Sequence, residues 1–160
     1  MNYLGMDESR LEATVEELNT LLANYHLYYQ NLRNFHWNIQ GENFLDLHEK
    51  FEQLYDDARV KIDEIAERIL TLRMRPVSQF SEYLERSDVE EAGKVQEDTE
   101  MVNIILENHR ILIENMRHVI KSADKVGDEG TIDMVGGFLS SLEKVSWMLD
   151  AWRSSRKVMA

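Results

Sequence analysis

Apolar residues return every three or four positions in four long runs, the period of an amphipathic α-helix. The first run extends from about Ser9 to Ile39, with Leu11, Val15, Leu18, Leu22, Tyr25, Tyr29, Leu32 and Phe35 in step. Ser9 and Glu12 have capping-box spacing, and Gly41 ends the run. The second, from about Asn43 to Arg73, carries Leu47, Phe51, Leu54, Ala58, Ile62, Ile65, Ile69 and Leu72; Asn43 can cap it and Pro76 stops it. The third spans about Asp88 to Asp124, behind a second capping box at Ser87 and Glu90. The fourth spans about Thr131 to Trp152, after the Gly127–Gly130 turn. Gly136 and Gly137 inside it each cost about 1 kcal/mol relative to Ala, which predicts close helix packing there. Between Pro76 and Ser87 the pattern breaks, and Val77, Phe80, Tyr83 and Leu84 suit a short helix.

Four such helices predict one all-α domain over residues 1–160, an antiparallel four-helix bundle. The first connection is very short. The second is long enough to cross the bundle, which suits a ferritin-like topology whose crossover contains a short helix. One Pro and seven Gly support a chain of long helices with little sheet or turn. Residues 1–8 and 154–160 fall outside the periodic runs and are expected as mobile tails.

Charge and cysteine usage narrow the chemistry. There is no Cys, which excludes disulfides, thiolate zinc sites, iron–sulfur clusters and cysteine nucleophiles, and fits a reducing cytosol. No apolar run is long enough to span a membrane, and the first ten residues lack a secretory pattern, so a cytoplasmic protein is expected. The formal charge of −12 repels phosphate backbones and attracts cations.

The second helix carries more than a core stripe. With His48 at 0° and about 100° per residue, its apolar residues cluster near −40° to −120°. Lys50, Asp57, Lys61, Glu64 and Arg68 form a charged face on the opposite side, near 160° to 220°. Between them lie His48, Glu52, Asp63 and Glu67, within about 100° of one another. Acidic residues beside a core stripe are ordinarily a solvated shoulder, but imidazole with carboxylate is also a ligand set for iron, manganese or zinc. His48 and Asp63 are about 22 Å apart along one helix and cannot bind the same ion within one chain. They meet if two copies of this helix pack antiparallel across a two-fold axis, which makes two reciprocal sites. His36, just before the first turn, can converge on His48, just after it.

The run His36-Trp37-Asn38-Ile39-Gln40-Gly41, followed by Leu47-His48 and Glu52, resembles a signature of the Dps family, the DNA-binding proteins from starved cells. Ile62-Asp63-Glu64-Ile65-Ala66-Glu67-Arg68-Ile69 resembles its second signature. The resemblance implies a hollow shell of twelve subunits with two-iron ferroxidase sites at the two-fold interfaces. Fe(II) is oxidised preferentially by hydrogen peroxide, and Fe(III) is stored inside as mineral. By motif position His36 and His48 come from one chain and Asp63 and Glu67 from its neighbour, with Glu52 as an extra ligand, direct or through water. Zinc or manganese can use the same donors. Trp37 is an interface aromatic or an oxidisable ring that quenches radicals. Arg73 stands where the family usually has a small or polar residue, and Glu52 where it often has Asp. The paired Glu-x-x-His motifs of ordinary ferritins are missing, since Glu107, His109, Glu114 and His118 lack that spacing.

Family members resemble ferritins in having acidic pores near the start of the last helix. Here Asp124, Asp128 and Asp133 are the candidates for a cation entry path. DNA binding is not favoured: the first nine residues hold no Lys or Arg, and the C-terminal tail offers Arg153, Arg156 and Lys157. A nucleoid-compacting, non-enzymatic DNA-binding protein is the alternative reading.

Overall fold

The computed structural model describes residues 2–159, with side chains as far as Ser154. Its α-helices are α1 Glu12–Asn38, α2 Phe44–Thr71, α3 Phe80–Arg86, α4 Asp98–Lys125 and α5 Glu129–Met159, after a 3-10 turn at Glu8–Arg10. There is no strand among the described residues. α1 packs on α2 and α4, α4 packs on α5, and α3 lies against α1. This is the bundle with a crossover helix that the periodicity predicts. Phe35 of α1 and Phe51 of α2 are fully buried with ring centroids 5.9 Å apart. Burying each contributes about 1.5–3 kcal/mol and holds the ends of α1 and α2 together beside their short turn.

Neither capping box forms. Asp7 accepts from the Ser9 N–H at 3.0 Å and caps the 3-10 turn, while α1 starts at Glu12 without a side-chain cap. The Ser87 hydroxyl accepts from the Val89 N–H at 3.0 Å, and α4 begins only at Asp98. Asn43 does not cap α2; its Nδ2 donates to Asp98 Oδ2 at 2.7 Å and ties the starts of α2 and α4.

Buried asparagines on α1 explain why residues 87–97 are not helical. Asn24 Oδ1 accepts from the Asp88 N–H at 2.7 Å, and its Nδ2 donates to Asn115 Oδ1 of α4 at 3.0 Å. Two turns on, Asn31 Oδ1 accepts from the Ala92 N–H at 3.0 Å, while its Nδ2 donates to Glu90 O at 2.9 Å and Asn108 Oδ1 at 3.0 Å. Asn19 Oδ1 accepts from the Val77 N–H at 2.9 Å. Buried backbone groups need partners, and here α1 side chains supply them in place of a helix.

α2 ends in a Schellman motif: Met74 N–H donates to Ile69 O at 3.1 Å and Arg73 N–H to Leu70 O at 2.9 Å. Arg73 occupies the left-handed position at φ 69°, which favours glycine. Its Nε lies 2.7 Å from Glu8 Oε1 and its guanidinium 5.7 Å from the Tyr3 ring centroid. The Tyr3 hydroxyl donates to Thr71 O at 2.6 Å, and Leu4 and Met6 pack on the core. The segment read as a mobile N-terminal tail thus makes defined contacts with the end of α2. The other expected tail, residues 154–160, lies outside the described side chains except for Ser154, although helical backbone continues to Met159.

Two further features differ from the sequence reading. A Cβ added at Gly136 or Gly137 meets nothing within 4 Å, so packing inside the chain does not require either glycine. The charged face of α2, which the wheel sets opposite the core stripe, is partly covered by α5. Lys61 is buried, with its Nζ 2.6 Å from Asp57 Oδ1 and 5.3 Å from the Phe138 ring centroid of α5. Arg68 Nη2 lies 2.6 Å from Asp128 Oδ1, and Arg68 Nε donates to Thr131 Oγ1 at 2.9 Å. Long side chains therefore join α2 to α5, which a helical wheel of α2 alone cannot show.

Candidate metal centre

The short turn between α1 and α2 brings His36 and His48 face to face. Their rings stack with centroids 3.8 Å apart at 14°. His36 Nδ1 is 2.7 Å from His48 O, and His48 Nδ1 is 2.7 Å from His36 O. A carbonyl only accepts, so each Nδ1 carries a proton, and in the neutral ring Nε2 is then the nitrogen with the lone pair. The backbone has thereby fixed both tautomers in the form a metal ion requires. Phe44 stacks on His48 at 4.8 Å, and the Tyr55 ring meets His36 edge-on at 5.2 Å. Sequence reasoning passed over these two supports; the signal was their spacing, since Phe44 precedes His48 by one turn and Tyr55 follows it by two.

Glu52 is exposed one turn beyond His48, and the Tyr55 hydroxyl donates to its Oε1 at 3.4 Å. Trp37 is 57% exposed, and the Arg33 guanidinium sits 4.9 Å from its ring centroid. Asp63 and Glu67 are exposed on adjacent turns of α2. A hydrogen bond with Asp63, and then the charge of Asp63, hold the Glu67 carboxyl above the usual carboxylate range. Two carboxyls crowded in this way favour a cation between them. The described residues of one chain contain no group of three or more His, Asp and Glu side chains able to hold an ion. The structure thus brings His36 and His48 together, and Asp63 near Glu67, but keeps the two halves apart along α2.

Of the candidate entry residues, Asp124 and Asp133 are exposed on either side of the α4–α5 turn. Asp128 is 1% exposed and already engaged: it receives the Arg68 guanidinium and the Thr131 N–H, the latter at 3.1 Å. In the candidate DNA tail, Arg153 Nε donates to Asp150 Oδ1 at 2.7 Å, and the side chains of Arg156 and Lys157 lie outside the described residues. His109 stands apart from the centre, buried between Tyr28 and Ser146, which lie 2.8 Å from its two ring nitrogens. Burial, then Lys50, push its pKa down to about 3.

The ferritin-like domain family matches residues 15–157 of this chain. The DNA protection during starvation protein of Porphyromonas gingivalis is 42% identical over 152 residues, covering 95% of this chain and 96% of that protein. The chain belongs to the Dps family. A crystal structure of the Dps protein from Vibrio cholerae O1, described as a member of a broad superfamily of ferritin-like diiron-carboxylate proteins, superposes with a TM-score of 0.92 at 40% identity. That likeness covers 95% of this chain and 96% of the other. Dps from Staphylococcus aureus gives a TM-score of 0.84 at 38% identity, covering 87% and 93%. No helix among the described residues of this Dps chain is long and apolar enough to cross a membrane.

Proposed function

We propose that this Dps-family chain oxidises Fe(II) at two-iron sites shared between two-fold-related copies, with hydrogen peroxide as the preferred oxidant, and stores Fe(III) inside a twelve-subunit shell. The observation that carries the reading is the reciprocal Nδ1-to-carbonyl bonding of His36 and His48 in two stacked rings, which in their neutral form leaves the Nε2 lone pair of each free to bind an ion. Asp63 and Glu67 of a neighbouring copy complete the site, Glu52 adds an oxygen donor, and iron is the substrate. Two Fe(II) each give one electron to one hydrogen peroxide. Its O–O bond breaks, two protons are taken up, and two waters and two Fe(III) result. Consuming both reagents together withholds them from hydroxyl-radical chemistry. Trp37, exposed beside His36, is placed to be oxidised by stray radicals. Asp124 and Asp133 draw cations toward the shell, while Asp128 holds the turn between them through Arg68.

Anaerobic loading with Fe(II), titration with peroxide and repetition in air test this. Fast oxidation near two Fe(II) per peroxide, with slow oxidation in air, is expected. Oxidation in air as fast as with peroxide overturns the oxidant preference. No acceleration over protein-free buffer overturns the ferroxidase reading.

A further inference from the structure

The exposed side of α2 carries a symmetry that the metal ligands alone do not use. His48 and Glu67 lie equally far in sequence from the bond between Asp57 and Ala58, and so do Glu52 and Asp63. A two-fold axis over that bond, with a second α2 antiparallel, therefore sets His48 beside the other copy's Glu67 and Glu52 beside the other copy's Asp63. Two more pairs obey the same symmetry without being donors. Leu45 and Leu70 are equidistant from the bond, on the same side of the helix as the ligands, and are 75% and 57% exposed. Asp56 and Arg59 are equidistant too, immediately flanking the axis, and both are exposed. Arg59 makes no ion pair within its own chain among the described residues. One arrangement thus matches leucine with leucine and aspartate with arginine. A slip of one turn sets Leu70 against Gly41 and Phe44 against Glu67. The opposite slip sets Glu52 against Glu67 and Asp56 against Asp63, like charge on like.

Resting on the shared-site reading above, we propose that Asp56 and Arg59 form two reciprocal ion pairs with a second copy of this chain, and that these pairs fix the register in which the two halves of the iron site meet. Asp56 and Arg59 are positioning residues: they touch no iron, and they act by deciding which donors face which. Charges next to an axis are counted twice, so one reversal creates two repulsive contacts. The leucine pairs at the two ends close the face and exclude water around the donors.

The absence of native cysteine makes the register directly readable. Full-length protein carrying Leu45→Cys with Leu70→Cys, treated with a short bis-maleimide, is expected to give covalent dimers on a denaturing gel. Leu45→Cys with Val60→Cys, which the axis does not pair, is expected to give none. Adding Asp56→Arg or Arg59→Asp alone is expected to slow cross-linking of the first pair roughly tenfold or more and to lower the number of Fe(II) bound per chain. The double exchange, with both substitutions together, is expected to restore both. No dimer from the Leu45/Leu70 pair, wild-type cross-linking in the single reversals, or no recovery in the double exchange overturns the proposal. Correct cross-linking in protein that fails to oxidise Fe(II) supports the register while overturning the ferroxidase reading, so the two failures are separable.

Discussion

Replacing Arg68 with Ala removes the cation paired with Asp128 and tests how α5 is held to α2. The carboxylate is 1% exposed and the Arg68 side chain 18% exposed. Breaking a buried pair from one side costs about 3–5 kcal/mol, because the remaining charge stays buried without its partner. Two features reduce that here. Asp128 keeps its bonds to the Thr131 N–H and hydroxyl at the start of α5, and the partly open guanidinium site admits water once vacated. The expected loss is therefore about 2–3 kcal/mol, or roughly 5–10 °C in Tm for a chain of this length. Asp128→Asn keeps the cap but removes the charge, so the double variant is expected to lose clearly less than the two single losses combined. Gly130→Ala supplies an independent perturbation. Its new Cβ comes within 2.7 Å of Arg68 Nη2, displacing the guanidinium without removing it. Urea unfolding at fixed protomer concentration is the assay, since assembly makes stability concentration-dependent. An Arg68→Ala protein within about 0.5 kcal/mol of wild type, or single losses that simply add, would refute the argument.

Other expectations follow from the same contacts. His109 is neutral in the fold down to pH about 3 but protonates near 6.5 when unfolded, so the unfolded state binds the extra proton between those values. Its contribution is complete above pH 6.5 and is lost as pH falls; wild type should lose about 2 kcal/mol more than His109→Gln between pH 7 and 5, measured by urea unfolding. Arg73→Gly relieves the left-handed backbone but gives up the half-exposed Glu8 pair and the Tyr3 contact, so stability should rise by no more than about 1 kcal/mol. A clear loss would mean that those contacts outweigh the backbone cost. His36→Ala with His48→Ala, and separately Asp63→Ala, should each slow peroxide-driven iron oxidation while leaving assembly intact. Oligomers mixed from the two variants should recover part of the rate, and no recovery in verified mixed dimers would count against a shared site.

The bundle was legible because its signal is redundant: each core stripe repeats over many turns, and Pro76 and Gly41 mark real ends. The approach of His36 to His48 was legible because they flank a very short turn, and the α2 carboxylates because they stand off the core stripe. What escaped was non-local. Ser87 and Glu90 fit a capping box, yet Asn24, far away in sequence, takes the Asp88 N–H that would have begun a helix. Asn24 and Asn31 interrupt an otherwise apolar face of α1 at a two-turn interval, matched by Asn108 and Asn115 on α4. That paired spacing was present in the sequence, but its partners became evident only when the helices were placed together. Lys61 and Arg68 fall opposite the core stripe of α2, and nothing in α2 records that α5 lies across them.

The asparagine ladder also governs how the crossover opens. The Asp88 and Ala92 amides are answered by Asn24 and Asn31, which face α4 as well as the crossover. Ordinary loop amides exchange with solvent through small local fluctuations. Here the same two side chains also span α1 and α4, so freeing those amides disturbs contacts between the long helices. Their deuterium uptake should therefore follow that of the helical core rather than that of a surface connection. The crossover is an irregular segment whose protection is borrowed from the interface beneath it.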